Sequence, residues 1–551
     1  MDIKGYDAFL ELLKSEGIKF LFGNPGTTEL AIMQALGNQN DIQYVLGLQE
    51  SIVVGMADGY ARASGELAAA NVHVAPGLGN AMGSIYNAKF YGSPVLITAG
   101  QQEQGHGLTE PMLYDPLVPI AQPLVKWATE CTRLSDLPRI IHRASKIALT
   151  PPTGPVFISL PGDVLDATED INIGNPTRVS ARVVPTMDVL DDVSQRLVSA
   201  QNPAIVVGHE VCTTNCLDMA GELALRLGAA VFQQTIPYSA QFKSEHATFM
   251  GALSRNQSTC RTQLDPYDIV LFLGSDVLRM SVFSHIDPLP KHIKILQISE
   301  RDHELGKNYP AEIAIRAHVR ETTSALTRHL DHLMTNDQKL TAHKRIEAIK
   351  AVNWSAQRLT WAADAARLAN GSPMHPHQLI VALANAIPEN SIVVEEALSS
   401  SANLLNYLPM RDHRSYFGLA SGGIGFAMAG AIGISLAQPN RPVIAFIGDG
   451  SSMYSIQALW TAAHMKLPIT FVIANNKGYR IIKQRLKSFR GTDNFIGMDF
   501  NDPEIDFVKL AQSMGINAQK IDHPAELEAA IKFCSSDGGT HLIEVGVLNH
   551  V

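Results

Sequence analysis

Cysteine is scarce and scattered: five in 551 residues, at Cys131, Cys212, Cys216, Cys260 and Cys534, without CxxC spacing. An odd set of this kind supports neither a disulfide framework nor a structural zinc site, and fits a reducing compartment. Basic runs are also missing. Lys and Arg number 44 against 53 Asp and Glu, and the net charge of −9 is spread along the chain. That excludes the electrostatic footprint of a nucleic-acid binder. No charged n-region, apolar h-region and cleavage site open the chain; "DIKGYDAFLELLKSEG" after Met1 reads as an amphipathic helix, and the expected location is the cytoplasm. The uncharged stretch from Ala420 to Asn440 approaches the ~20 residues of a membrane span. Its Gly and Ala content and its Gln-Pro-Asn end instead predict a helix packed tightly against a sheet, so no membrane partner is expected.

What the chain has is alternation. It is too long for one core, and its 46% hydrophobic and 18% charged residues suit a globular protein. Short apolar runs ("IKFLFGNPG", "IQYVLGLQE", "LAAANVHVAPG", "SPVLITAG", "GPVFISLPG") alternate with helical patterns over the first 170 or so residues. This rhythm predicts right-handed βαβ units and a parallel sheet. A Pro-rich polar linker follows, then a second such block through "NPAIVVGHE", "AAVFQQT", "DIVLFLGSD" and "IKILQIS". A third contains "SIVVEEAL", "RPVIAFIGDG", "LPITFVIANN" and "GTHLIEVGVL". The expected fold class is α/β, three doubly wound parallel-sheet domains over residues 1–175, 188–330 and 369–551, with a polar helical linker over 331–368.

In such sheets ligands sit outside the carboxyl ends of the strands. Asp449 follows the apolar run "VIAFIG" and lies between two glycines; Asn475 and Asn476 follow the next, "LPITFVIA". A βαβ crossover brings them to one edge, where amides of Gly450 and Ser451 would face a ligand at a helix N-terminus. One carboxylate, one amide oxygen and loop carbonyls make an incomplete hard-oxygen site, the kind magnesium uses when phosphate oxygens complete its shell. The expected ligand is a diphosphate. Alone, GDG is also an ordinary tight turn and NN an ordinary strand-capping loop.

Glu50 follows another apolar run and precedes "SIVVGMADGYA", either as a first-turn charge on a helix or as a functional carboxylate. His73 ends "LAAANVH" before "APGLG", either as a core histidine or as a proton donor and acceptor.

In order and spacing, GDG followed by NN resembles the signature of thiamine diphosphate enzymes. Further stretches extend the resemblance over essentially the whole chain, closest to the benzoylformate decarboxylases: "FGNPGTTEL", "LQESIVVGMADGYARASG", "NVHVAPGLGNAMG", "SPVLITAGQQ", "PLVKWA", "GDGSSMYSIQALWTAAH" and "LIEV". The resemblance implies pyrimidine-binding, central and diphosphate-binding domains. It also implies thiamine diphosphate and Mg2+ as cofactors, and a homodimer or homotetramer with active sites between chains. By the same resemblance Asp449, Asn476 and the Gly478 carbonyl hold the metal, and Ser399, Gly450, Ser451 and Tyr479 lie near the diphosphate. Gly422 and Ile424 belong to "GGIGF", in which Ile424 matches the bulky residue that bends the cofactor. Glu50 matches the glutamate that hydrogen-bonds the aminopyrimidine ring, His73 a proton-transferring histidine, Thr27 a serine that contacts the substrate carboxylate, and Asn80 a residue near the reacting centre.

The sequence departs from the benzoylformate decarboxylases in two places. Where they carry a second histidine in the central domain, ungapped counting places Ser281, with His285 four residues on. In the segment that helps form their phenyl pocket, Ile481 replaces a small residue and Arg485 an aromatic one; Arg485 is either solvated or set to pair with a substrate anion. The expected reaction is non-oxidative decarboxylation of an aryl 2-keto acid, benzoylformate to benzaldehyde and carbon dioxide. Alternatives are a carboligase of the acetolactate synthase type and a decarboxylase of an acidic 2-keto acid. A nicotinamide dehydrogenase is disfavoured because "GLGNAMG" has GxGxxxG spacing and no acidic strand end follows at the distance a ribose needs.

Overall fold

A computed structural model describes residues 2–368 and 371–549. The expected boundary between linker and third domain falls at residues 369–370, outside the described residues. Three six-stranded sheets, parallel throughout, carry the chain. The first runs Gln43–Leu46, Phe20–Gly23, Ala68–Val72, Val95–Gln101, Val156–Pro161, Ala128–Glu130 from edge to edge. The third runs Tyr416–Gly418, Ile392–Glu396, Val443–Gly448, Ile469–Asn475, His541–Gly546, Asn517–Ile521. Numbered within each sheet, both follow the order 2-1-3-4-6-5. The middle sheet, over residues 203–316, follows 3-2-1-4-5-6. The interior strands are the apolar runs of the sequence, buried on both faces by helices. A two-stranded antiparallel ribbon pairs Asp2–Lys4 with Thr168–Asp170.

The stretch Ala420 to Asn440 contains the helix Phe426–Ala437, whose residues Phe426 to Ser435 are all buried. Much of its burial is against helix Glu50–Ser64 of the first sheet's layer, and glycine lines the contact. A β-carbon on Gly433 would sit 1.9 Å from the Met56 carbonyl oxygen, and one on Gly59 2.2 Å from that of Gly430. Beside this seam Arg62 forms a buried two-pronged pair with Asp58, at 2.8 and 2.6 Å. Its guanidinium lies between the rings of Tyr91 and Phe426, and it donates to the Gly418 carbonyl. Helices Asn336–Lys350 and Trp354–Ala366 occupy the linker region. Trp354 is buried in the central domain's core and donates to the Leu405 carbonyl of the third. Among the described residues no helix is long and apolar enough to cross a membrane.

Candidate functional site

A 2-1-3 strand order has its switch point between strands 1 and 3, where the connections leave in opposite directions and a crevice opens at the carboxyl edge. In the first sheet strand Phe20–Gly23 runs into the turn Asn24 to Thr28, and strand Ala68–Val72 runs into His73. Val74 takes φ 37°, a left-handed conformation costly for a β-branched residue, and it sets the angle at which the chain leaves His73 for helix Val74–Tyr91.

Four side chains converge there on two carboxylates. Glu50, 7% exposed at the start of helix Glu50–Ser64, accepts from Asn24 Nδ2 on Oε1 (3.1 Å) and from Asn80 Nδ2 on Oε2 (2.9 Å). His73 Nδ1 lies 2.8 Å from Oε2 of Glu29 and 3.2 Å from the Thr28 hydroxyl. Glu29 is completely buried and fully used: it also accepts from the amides of Gly26 and Gly100 and from the Thr28 hydroxyl. An acceptor so placed holds the proton on His73 Nδ1 and leaves Nε2 as the exchangeable position. A β-carbon on Gly77 would lie 3.3 Å from both Glu50 Cγ and His73 Cβ, which makes the two pairs immediate neighbours.

Sequence reading anticipates Glu50, His73 and Asn80 but not Asn24, Thr28 or Glu29. Thr27 is exposed, at the start of the short helix Thr27–Glu29, and it is the adjacent Thr28 that reaches His73. The signal for Glu29 is its spacing from Gly26, which doubles as a capping box and so has a local explanation.

The third sheet's switch point lies between Ile392–Glu396 and Val443–Gly448, and Asp449 sits at it, 3% exposed. Its Oδ1 accepts from Gly450 N (2.8 Å) and Oδ2 from Gly478 N (3.1 Å). Burial pushes its carboxyl up to about 6, against the pull of these amides. The two asparagines divide the work. Asn475 is structural, donating to Glu544 and accepting from the Lys477 amide. Asn476 is 3% exposed and its Oδ1 is buried without a partner among the described residues. The Gly478 carbonyl accepts from the Arg480 amide and keeps a second lone pair.

A buried orphan amide oxygen beside a buried carboxylate is a costly arrangement unless a cation answers it. Among the described residues no group of three or more His, Cys, Asp or Glu side chains is arranged as a metal site, so a cation here must use amide and carbonyl oxygens. The residues present fit magnesium completed by phosphate oxygens.

Gly450 has room for no side chain, since its β-carbon would lie 2.8 Å from the Tyr479 ring, which packs edge-on against Phe500. Ser451 is buried and Ser399 half-buried; the neighbouring Ser400 hydroxyl is a second buried oxygen without a partner. Gly422 (φ 86°) is exposed and Ile424 half-buried, both on the loop that leaves the edge strand Tyr416–Gly418.

The remaining candidates lie apart. Ser281 and His285 line a cavity of about 710 Å³ in the central domain, with Gln257, Lys307 and Tyr309. Neither contacts the Glu50 or Asp449 groups. On helix Arg480–Arg490 Ile481 is half-buried, and Arg485 is exposed without a hydrogen bond or ion pair among the described residues. The central sheet's own switch point is closed. A β-carbon on Gly208 would meet Ser275 Cα at 2.3 Å, and Glu210 there is taken up by Ser299, Arg301 and the Glu300 amide.

Comparison with known proteins covers all three domains. Residues 3–113 match the thiamine pyrophosphate enzyme N-terminal TPP binding domain, 190–326 the central domain and 399–545 the C-terminal TPP binding domain. Benzoylformate decarboxylase of Pseudomonas aeruginosa is 33% identical over 548 residues, 98% of each chain. The acetolactate synthase isozyme 3 large subunit of Escherichia coli is 26% identical, over 96% of this chain and 92% of that one. The structure of Rhodococcus jostii RHA1 thiamine diphosphate-dependent 4-hydroxybenzoylformate decarboxylase superposes with a TM-score of 0.88 at 30% identity, covering 99% of both chains. With two switch points equipped for different chemistry and similarity running nearly from end to end, the chain belongs to the thiamine pyrophosphate-dependent enzymes.

Proposed function

We propose that this enzyme decarboxylates an aryl 2-keto acid without oxidation, taking benzoylformate to benzaldehyde and carbon dioxide, with thiamine diphosphate and Mg2+ as cofactors. The observation that carries the reading is that one chain holds both parts of the chemistry, an amide-clamped Glu50 beside a Glu29-oriented His73 at one switch point and a hard-oxygen set at the other. Thiamine diphosphate supplies a nucleophilic carbon and an electron sink for the loss of carbon dioxide. Asp449, Asn476 and the Gly478 carbonyl would hold the metal. Gly450, Ser451, Ser399 and Tyr479 would receive the diphosphate. Glu50, fixed by Asn24 and Asn80, would hydrogen-bond the cofactor's aminopyrimidine ring; His73, with its Nδ1 proton committed to Glu29, would deliver or remove a proton at Nε2. Similarity to the two benzoylformate decarboxylases supports the substrate class.

The working unit is a homodimer or homotetramer in the cytoplasm, with each site shared between chains. In support, no hydrogen bond, ion pair or ring contact joins the Glu50 and Asp449 groups within one chain among the described residues. Large apolar side chains close in sequence to both are left exposed: Leu30 at 64%, Leu48 at 44% and Tyr454 at 56%.

The test is product analysis from benzoylformate, pyruvate and a dicarboxylic 2-keto acid, with and without thiamine diphosphate and Mg2+. Cofactor-dependent benzaldehyde formation is expected. A second reading, decarboxylation of an acidic 2-keto acid, is favoured by unpaired Arg485 on a helix that also carries Arg480, Lys483, Lys487 and Arg490. Preference for the dicarboxylate would establish that reading, and a ligated product the acetolactate synthase type of carboligation.

A further inference from the structure

The carboxyl edge of the third sheet gathers the loops that follow Glu396, Gly418, Gly448 and Asn475. One of them, residues 421–425, has little of its own to hold it. It leaves a strand only three residues long at the sheet's edge. Midway, a β-carbon on Gly422 would have no heavy atom within 4 Å.

Both ends, however, are tied. At the first, the Ser421 amide and hydroxyl donate to Asn87 Oδ1 (3.3 and 3.0 Å), and Asn87 Nδ2 donates to Asp58 of the buried Arg62 pair (3.1 Å). At the other, Glu396, 1% exposed, accepts from the Gly425 amide on Oε1 (2.5 Å) and the Ala427 amide on Oε2 (2.7 Å). The Ser455 hydroxyl, beyond the GDG turn, donates to the Gly425 carbonyl (2.7 Å). Gly425 takes φ 107°, which a β-carbon would strain, with Tyr454 Cβ 3.1 Å from where that carbon would be.

We infer that Glu396 is a positioning residue: its carboxylate, bridging the amides of Gly425 and Ala427, fixes the loop that carries Ile424 and thereby the surface this loop presents to the bound cofactor. The inference rests on the reading of that loop as cofactor-facing. A carboxylate is the side chain that can accept at both oxygens; a carboxamide turns a donor toward one of the amides.

The test compares wild type with Glu396→Gln, Glu396→Asp and Ser455→Ala. In the apoprotein, amide hydrogen exchange of the peptide spanning 421–428 is expected to quicken about tenfold in Glu396→Gln, the loss of one charge-assisted bond, with distant peptides unchanged. In the holoprotein, deuterium exchange of the cofactor's C2 proton, read by NMR after acid quench without substrate, is expected to slow about ten- to a hundredfold, as misplacement of reacting groups does. Glu396→Asp, which keeps the charge but is too short to span both amides, falls between. Ser455→Ala moves both readouts the same way by less and stands in if Glu396→Gln does not fold. Unchanged loop protection overturns the inference, and so does a loosened loop with unchanged C2 exchange. Wild-type holoprotein lacking accelerated C2 exchange would instead sink the cofactor reading, and the inference with it.

Discussion

The seam between helices Glu50–Ser64 and Phe426–Ala437 lends itself to a double-mutant cycle. A β-carbon on Gly55 would sit 2.8 Å from the β-carbon of Ala429, about an ångström inside the usual carbon-carbon contact. Gly55→Ala therefore adds overpacking strain of about 1–3 kcal/mol, offset by about 1 kcal/mol of helix propensity. Ala429→Gly forfeits about 1 kcal/mol of propensity and opens room for one methyl. Combined, the two propensity changes cancel and the strain is relieved, so the double variant should return close to wild type. The coupling between the sites then equals the strain, about 1–3 kcal/mol. The assay is calorimetric unfolding of all four proteins at one scan rate, since a chain of this size is judged by its rate of loss. Additive effects, with the double variant worse than either single one, would refute close backbone packing at this seam. Gly433→Ala offers a contrast: its new carbon meets a backbone oxygen at 1.9 Å, no side chain can be trimmed to admit it, and a larger loss without second-site rescue is expected.

Glu29→Gln should lower kcat by about a hundredfold, the scale of a positioned acid-base group, while leaving the thiamine diphosphate Kd unchanged; a matched loss of binding in titration calorimetry would count against His73 orientation as its role. Asn476→Ala should raise the Mg2+ concentration for half-activation at least about tenfold, the effect of losing one ligand's share of affinity, whereas Asn475→Ala should lower thermal stability instead. Burial pushes His209 down to about 3, with Nε2 donating to the Tyr91 carbonyl. The unfolded chain binds a proton there near 6.5 and the folded one does not, so this group's contribution is intact above 6.5 and is lost as pH falls toward 3, about 1.4 kcal/mol by pH 5.5. Denaturant midpoints at pH 7.5 and 5.5 should converge in His209→Gln by that amount, and an unaltered pH slope would exclude it.

The sheets were legible where they are deepest. Every interior strand coincides with an apolar run, because burial on both faces demands it. The strands of these sheets that escaped, Ala128–Glu130, Phe249–Ala252, Ile313–Arg316, Tyr416–Gly418 and Asn517–Ile521, are all edge strands of three to five residues, and all but Tyr416–Gly418 are part-exposed. The placement of Asp449 and Asn476 at one sheet edge was legible because glycines flank an acid at one strand end and paired asparagines follow the next strand. Glu29 was not, since a glutamate three residues after a turn has a sufficient explanation in the helix it caps. That it also holds His73 depends on strand Ala68–Val72 lying beside Phe20–Gly23, which no local pattern encodes. Glu396 was hidden likewise: its partners Gly425 and Ala427 lie some thirty positions away.

The shared strand order of the first and third sheets places their parts in correspondence. Helix Glu50–Ser64 and helix Phe426–Ala437 each follow the second strand of their sheet, and each is the other's partner across the glycine seam. His73 and Asp449 each follow the third. One chain therefore carries two layers of the same strand order, packed helix to corresponding helix, with its candidate site residues on corresponding loops. A seam lined by glycines of both helices couples the two layers, so a side chain added on either helix is felt by both.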